Sequence, residues 1–324
     1  MKKQHKSLLL TLLSILAIVS LDSSCCCWET TPMPKVTAEE EVQRTEIIKT
    51  TPEKSNQEAL TFYNQGYIYT INGIKGKPVK IIKGEHPSFN PQKDKIVYQD
   101  DGIYIYDISS KSSELLDKPI GIAFSPKWSP DGEWIAYVDR GDQYKLTLIK
   151  PDKTEKHVIF DGSNSPSEMF FKHTWATDSK SIYVHDMNTL YQISTEGEII
   201  SQIPIPQITG SKTATTSEDV FIPSPIDPNI IAYTKSVSDD TEFERLYGEP
   251  GTALFLYNTT DHTSKRLSPK EIFTFSPVWS KDGNSIYFYG YRGISKESYP
   301  FRIYQINIQN GTIIEIGRGE NVSI

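Results

Sequence analysis

Cysteine is almost missing from this sequence. The three cysteines among its 324 residues are consecutive, at Cys25, Cys26 and Cys27. A disulfide needs Cα atoms about 4.4–6.8 Å apart with converging side chains, which neighbouring residues do not provide, and no further cysteine could pair with them. A structural disulfide is therefore excluded.

Histidine is also scarce, and hydrolase motifs are absent. No two histidines after the N-terminal segment have the close spacing of a zinc motif, and no Gly-x-Ser-x-Gly segment is present. We therefore expect no metal, no cofactor and no catalytic residue. The six histidines are His5, His86, His157, His173, His185 and His262.

The sequence also has no excess of basic residues. The sequence has 34 Lys and Arg against 41 Asp and Glu, a formal net charge of −7. Because binding to phosphates requires clustered cations, nucleic acid is not an expected partner. Methionine occurs four times, whereas 20 Pro, 19 Gly and 18 Tyr favour a chain of many short strands and turns.

The first 24 residues have the pattern of an export signal. Lys2, Lys3 and Lys6 precede an apolar run from Leu8 to Leu21. A run of about 14 residues is too short to cross a bilayer comfortably as a mature helix. We therefore predict a signal peptide over residues 1–24.

Cys25 follows this signal directly. The arrangement resembles the lipobox of bacterial lipoproteins, whose cysteine receives lipid, although Asp22 stands where that motif has leucine. The resemblance implies lipid attachment at Cys25 and a membrane-anchored protein in the bacterial cell envelope, periplasmic or on the outer surface. An ordinary signal peptide cut at Ser23 or Ser24 is the alternative. Residues 25–59 are rich in Thr, Glu, Lys and Pro and are predicted to form a flexible tether.

A repeat organises the chain from residue 60 onward. A segment that reads Trp-Ser-x-Asp-Gly, followed three residues later by Ile, begins at Trp128 and again at Trp279, and three weaker copies follow the same template. Successive copies are 39, 47, 49 and 55 residues apart, close to the period of four-stranded propeller blades. The copies begin at Phe89, Trp128, Trp175, Ser224 and Trp279.

Each copy predicts a strand, a tight turn and a second strand, and two more strands follow it. Residues 60–324 give about 44 residues per blade for six blades. The first cycle lacks its first strand. We predict that Val322 to Ile324 supplies it by pairing with Leu60 to Tyr63, which closes the ring. The expected fold class is all-β, a six-bladed β-propeller that is monomeric.

The Trp-Ser-Pro-Asp-Gly and Trp-Ser-Lys-Asp-Gly segments resemble the WD40-like (PD40) repeat of TolB propellers. The resemblance covers residues 60–324 and is strongest at 124–138 and 275–288. It implies a protein partner in the envelope, since the TolB propeller docks envelope proteins. TolB carries an additional N-terminal α/β domain, for which a tether of about thirty residues leaves no room.

The recurring aspartates and tryptophans have architectural explanations. The aspartates occupy tight turns, where the side chain caps its own backbone. The tryptophans recur with the repeat and are expected in the core between blades. The residues are Asp94, Asp131, Asp178, Asp227 and Asp282, and Trp128, Trp175 and Trp279.

Function is expected where the repeat is interrupted. The connections between the second and third strands are long in the fifth and sixth blades and shorter in the third. In an up-and-down blade they open on the same face as the connections between blades. These loops carry Arg and Tyr, which are enriched at binding hot spots. The predicted binding rim consists of Arg140, Asp142, Tyr144, Arg245, Tyr247, Arg292 and Tyr299.

Two functions follow from these observations. The first is a non-enzymatic binding or assembly module of the cell envelope that presents its loop rim to protein partners. The second is a propeller enzyme that acts on a carbohydrate or lactone, since oligogalacturonate lyase has a similar repeat. Such an enzyme needs a metal or several acid and base groups at the channel mouth.

Overall fold

The computed structural model describes residues 58–141, 143–161, 172–210, 215–238, 251–293 and 297–324. The predicted signal peptide, the predicted lipidation site at Cys25 and nearly all of the predicted tether lie outside these residues. Within the described part of the chain, no helix is long and apolar enough to span a bilayer.

The described residues form six four-stranded antiparallel sheets, the blades of a β-propeller. Four strands, named a to d from the centre outward, make each blade. Blade 1 contains β24 (Glu320–Ser323), β1 (Ala59–Asn64), β2 (Tyr67–Asn72) and β3 (Val79–Lys83), and blade 2 contains β4 (Glu85–Phe89), β5 (Lys95–Gln99), β6 (Ile103–Asp107) and β7 (Ser112–Asp117). Blade 3 contains β8 (Ile122–Trp128), β9 (Ile135–Arg140), β10 (Tyr144–Ile149) and β11 (Lys156–Phe160), and blade 4 contains β12 (His173–Trp175), β13 (Ser181–His185), β14 (Thr189–Ser194) and β15 (Ile199–Pro204). Blade 5 contains β16 (Phe221–Pro223), β17 (Ile230–Val237), β18 (Gly251–Asn258) and β19 (Ser264–Arg266), and blade 6 contains β20 (Ile272–Trp279), β21 (Ser285–Arg292), β22 (Arg302–Asn307) and β23 (Ile313–Arg318).

The predicted ring closure is confirmed. β24 joins blade 1 as its inner strand, with Thr61 opposite Ser323 and Tyr63 opposite Glu320. Val322 is 7% exposed and packs in one cluster with Leu60. Pairing the last strand with the first removes two free sheet edges, which would otherwise expose unpaired backbone groups.

The a–b turns show why the Trp-Ser-x-Asp-Gly segment recurs. In blade 3, Asp131 Oδ1 accepts hydrogen bonds from Ser129 Oγ at 2.6 Å and from the Glu133 backbone N–H at 3.0 Å. Gly132 has φ of +80°, a conformation that glycine adopts without strain. The aspartate therefore holds the turn, as predicted.

The tryptophans lie between blades, which also confirms the prediction. Trp175 of blade 4 donates from Nε1 to the Lys127 carbonyl of blade 3 at 3.1 Å. Trp279 of blade 6 donates in the same way to the Ile222 carbonyl of blade 5 at 3.0 Å. Trp128 packs in a cluster that joins blades 2 and 3. Each indole thus buries apolar area while its N–H finds a backbone acceptor where one is in reach.

A short helix in the connection from blade 4 to blade 5 was not predicted. α1 (Ile205–Thr209) buries Ile205 and Ile208 against Leu190 and Phe221. Lys235 Nζ donates to the Thr209 carbonyl at its end, at 2.9 Å. The helix is too short to show a helical period in the sequence, and its stability comes from this packing.

Candidate functional site

The two ends of the propeller carry different connections. Because the strands of a blade are antiparallel, the a–b and c–d turns lie at one end and the b–c and d–a connections at the other. We call these ends the turn face and the loop face. The predicted rim residues belong to the loop face.

Arg140 and Tyr144 lie side by side on the loop face of blade 3. They are register partners at the ends of β9 and β10, and the Arg140 guanidinium lies 5.4 Å from the centroid of the Tyr144 ring. Tyr144 meets the edge of the Phe124 ring, with centroids 6.3 Å apart. Arg140 is exposed and Tyr144 half-buried. The structure therefore brings two predicted rim residues together on the surface.

Two isoleucines beside this pair were missed by the sequence analysis. Ile120 is fully exposed and Ile122 is 60% exposed, and Ile122 is the register partner of Arg140. Ile120 lies in the connection between blades 2 and 3, and Ile122 is the first residue of β8 after it. The available signal was an isoleucine on either side of Gly121, in a connection where polar residues are usual.

The equivalent position of blade 6 is buried. Ile122 stands two residues before Phe124 in the repeat, and Phe273 stands two residues before Phe275. Phe273 is 2% exposed, and its ring centroid lies 5.4 Å from that of Tyr291. The side chain at this position of the repeat is therefore buried in blade 6 and exposed in blade 3.

Blade 6 instead presents a group of stacked aromatic rings. Phe301 lies at its centre, and the surrounding ring centroids are 5.4 to 6.3 Å away. The rings around it are half-buried apart from Tyr289, which is buried. They are Phe275, Tyr289, Tyr291 and Tyr299.

The two described rim residues of blade 6 differ in their surroundings. Arg292 is exposed, and its guanidinium lies 3.8 Å from the Glu271 carboxylate. Tyr299 is half-buried, and burial together with the Glu320 carboxylate of blade 1 raises the pKa of its hydroxyl. Burial raises the pKa of Glu320 as well. Tyr299 thus packs toward blade 1, whereas Arg292 lies exposed beside Glu271.

Three predicted rim residues lie outside the described residues. They are Asp142, Arg245 and Tyr247.

The inner strands of all six blades surround a central cavity of about 520 Å³. Its lining extends from the middle of these strands to the first residues of the a–b turns, and so toward the turn face. The described lining combines indoles, prolines and hydroxyl groups, and its ionisable side chains are His86, Lys127, Lys172 and Lys281.

A bulge recurs in the inner strands around this cavity. His86, Ser125, Ser276 and Asn321 have φ between +40° and +53°, and the ladder shifts register at each of them. Three of the four precede a proline, which has no N–H to give to the ladder. Because the bulge recurs, it belongs to the repeat and not to one specialised site.

His185 and Asp219 connect blades 4 and 5 below the loop face. His185 Nε2 lies 2.9 Å from the Asp219 carbonyl oxygen, and burial lowers the pKa of His185 to about 4. Burial raises the pKa of the Asp219 carboxyl to about 6, although the carboxylate accepts a hydrogen bond from the Thr216 backbone N–H at 2.8 Å. Both groups hold the fold together and face no open site.

The recurring aspartates accept hydrogen bonds within the turns where they lie. Asp178 and Asp227, like Asp131, each accept a hydrogen bond from the backbone N–H two residues further on, at 2.9 Å for the first two. Among the residues that the structure describes, no three His, Cys, Asp or Glu side chains converge as metal ligands do.

No known family profile matches the sequence, and no curated protein matches it. Among solved structures, the chain is similar to TolB from Acinetobacter baumannii, with a TM-score of 0.62 and 12% identity over 83% of this chain and 67% of that one. It is also similar to a protein assigned as TolB from Agrobacterium tumefaciens, with a TM-score of 0.57 and 16% identity over 82% and 92%. The chain has a TolB-like propeller fold. Oligogalacturonate lyase from Vibrio parahaemolyticus is more distant from this TolB-like propeller, with a TM-score of 0.47 and 10% identity over 78% and 71%.

Proposed function

We propose that this TolB-like propeller is an exported, lipid-anchored module that binds another envelope protein through its loop face. The observation that supports it best is the surface of blade 3, where two exposed isoleucines lie next to Arg140 and Tyr144. We call Ile120, Ile122, Arg140 and Tyr144 the blade 3 patch.

The blade 3 patch has the composition of a binding hot spot. Arg and Tyr supply apolar area together with polar groups, and they are enriched among residues that dominate binding energy. Burying one isoleucine side chain contributes roughly 1.5–3 kcal/mol, and Ile120 is fully exposed in the free chain. The corresponding Phe273 of blade 6 is covered by Tyr291 of its own blade and by Gly251 of blade 5. In blade 3, a partner would supply the cover that Phe273 receives from the chain itself.

Blade 6 would extend the same interface. Arg292 stands exposed at the loop face, and the half-buried aromatic group around Phe301 lies on the same blade. The b–c connections of blades 3 and 6 open on one face, so a single large partner or an elongated one could contact both. Tyr299 would support this surface from below, because it packs toward blade 1.

The anchoring part of the proposal rests on the sequence. Lipid on Cys25 would hold the propeller at a membrane through a tether that ends near residue 59, where β1 begins. Replacing Cys25 to Cys27 with Ser should release the protein from the membrane fraction into the soluble exported fraction. Mass spectrometry of the N-terminal peptide would locate the cleavage site and the lipid. A wild-type protein that fractionates as soluble would contradict the anchoring.

The binding proposal is tested by cross-linking in intact cells. A photo-reactive residue at position 120 should capture a defined envelope protein, and the same residue at Val158, on the outer strand β11, should not. Val158 is a suitable control because it is also an exposed branched residue, at 47%. Equal capture from both positions would contradict binding through the loop face.

The enzymatic alternative has its own assay. Purified protein incubated with oligogalacturonides should leave them intact, as measured by chromatography of the products. Turnover that persists after substitution of the blade 3 patch would replace the binding proposal with the enzymatic one.

A further inference from the structure

We propose that the central cavity binds a small organic anion, with its acidic group at Lys127 and its apolar body against the indoles and prolines of the inner strands. This site is independent of the proposed protein interface, because it lies among the inner strands and extends toward the turn face. Three observations support this site: the volume of the cavity, the basic side chains of its lining and the position of Lys127.

The cavity has the size and the wall of a small-molecule site. Its volume of about 520 Å³ falls within the range of roughly 300–1,000 Å³ that is usual for ligand pockets. Trp128, Trp175 and Trp279 contribute apolar surface to the wall, and serine hydroxyls such as Ser88 and Ser323 contribute hydrogen-bonding groups. An apolar lining with a few placed polar groups is typical of such pockets.

The ionisable side chains of the described lining are all basic. No Asp or Glu is among the described residues that line the cavity, whereas Lys127, Lys172, Lys281 and His86 are. This contrasts with the chain as a whole, whose formal net charge is −7. The acidic residues of the protein are therefore placed elsewhere, and the cavity wall favours an anion over a cation or a neutral ligand.

Lys127 is half-buried, and it has no carboxylate partner among the described residues. Its Nζ donates to the His173 carbonyl at 2.5 Å, which uses one of three donors. Ion pairs among the described residues include Lys172 with Glu218, at 3.1 Å, but none that involves Lys127. A buried charge without a partner is costly, and an anion in the cavity would relieve that cost.

The neighbouring cations reinforce this field. Burial, and next the charge of Lys172, lower the pKa of Lys127 to about 8, so its ammonium still carries most of its charge at pH 7. Burial lowers the pKa of His86 to about 4, with Lys172 and Lys127 contributing to the shift. His86 is therefore neutral at pH 7 and can act as a hydrogen-bonding group, while Lys127 supplies the positive charge and the charge of Lys172 is partly balanced by Glu218.

Binding of three matched probes to the full chain tests the proposal. Phenylacetate and phenyl phosphate are anions with an apolar ring, and phenylacetamide is the neutral counterpart of the first. At about 10 mM, enough to saturate a millimolar site, at least one anion should raise the unfolding midpoint and phenylacetamide should not. The comparison of phenylacetate with phenyl phosphate shows whether the site prefers a carboxylate or a phosphate. Equal shifts with the amide, or no shift with either anion, would overturn the proposal.

Three variants locate the site. Lys127→Met should weaken anion binding at least tenfold, measured by calorimetric titration, while Lys127→Arg should retain most of it. Lys145→Met is the matched control, since Lys145 is an exposed lysine on β10 of the same blade, and it should bind as wild type does. If Lys127→Met does not fold, Lys172→Met carries the test and should also weaken binding. Wild-type affinity in the folded cavity variant would overturn the assignment.

Discussion

Blades 3 and 6 share the same turn at one end and present different surfaces at the other. At the turn face, Asp282 of blade 6 accepts from Ser280 Oγ at 2.6 Å and from the Asn284 N–H at 3.0 Å, which repeats the contacts of Asp131 in blade 3. At the loop face, Phe273 is buried in blade 6 and Ile122 is exposed in blade 3. Residues that recur in both blades therefore serve folding. Residues that differ between the blades are the candidates for binding.

The largest expected effect on stability comes from β24, the inner strand that closes blade 1. Deleting residues 321–324 removes β24, which leaves β1 with a free edge and uncovers the cluster around Leu60. The unfolding midpoint should fall by more than about 10 °C, or the protein should not fold at all. Ile314→Ser, on the outer strand of blade 6, is the control and should melt close to wild type. A truncated chain with an unchanged midpoint would contradict closure by β24.

The next effect is a pH dependence from His185, which lies below the loop face. Its pKa is about 4 in the folded protein and 6.5 in the unfolded one, so the unfolded state takes up the proton first as pH falls. As the pH falls from 7.5 to 5, protonation of His185 in the unfolded state should lower the free energy of unfolding by about 2 kcal/mol. In His185→Gln that loss should be smaller by about this amount, measured by urea denaturation at both pH values.

Protonation of Asp219 has the opposite effect on stability. Its pKa is raised from 3.8 to about 6 in the folded protein, so its protonation stabilises the fold as pH falls through that range. Asp219→Asn should therefore make the acid-induced loss larger than in wild type. A loss that is equal in the wild type and in both variants would show that neither group sets the pH dependence.

A smaller effect is expected at the shared turns. Asp131→Ala and Asp282→Ala each remove the acceptor of two turn hydrogen bonds. Each should cost about 1 kcal/mol of stability and leave partner binding unchanged. Similar costs in the two blades, measured by denaturant titration, would support the equivalence of the turns. A tenfold loss of partner binding in either variant would place function on the turn face.

The smallest effect on stability is expected at the blade 3 patch. Ile120→Ser and Ile122→Ser change exposed side chains, so stability should change by no more than about 0.5 kcal/mol. Partner capture should nevertheless fall strongly, whereas Ile200→Ser on the outer strand β15 should leave it unchanged; Ile200 is 56% exposed. Destabilisation by several kcal/mol would show that the patch supports the fold and not an interface.

The sequence predicts the parts of this protein that follow local rules. The turns at Asp131 and Asp282, the inter-blade indoles and the closing strand all follow from residue types repeated at a fixed place. The burial of Tyr299 and the exposure of Ile122 do not follow from repeated residue types, because each depends on which neighbouring blade covers the side chain. The charge of the cavity also escapes the sequence, since its lining residues come from six separate strands and each looks ordinary alone. Helix α1 is stabilised by contacts with blades 4 and 5 and leaves no periodic signal.

The closure of blade 1 has a consequence for the order of folding. β1 and its partner β24 stand at opposite ends of the propeller sequence, so this sheet has a contact of very high sequence separation, and such contacts form late because a long loop must be closed first. During synthesis, blades 2 to 6 can each assemble from consecutive residues, while β1 waits for the last segment to be made. The ring is therefore completed only after translation of the whole domain, and this late closure would suit the proposed export, in which the chain stays unfolded until it has crossed a membrane.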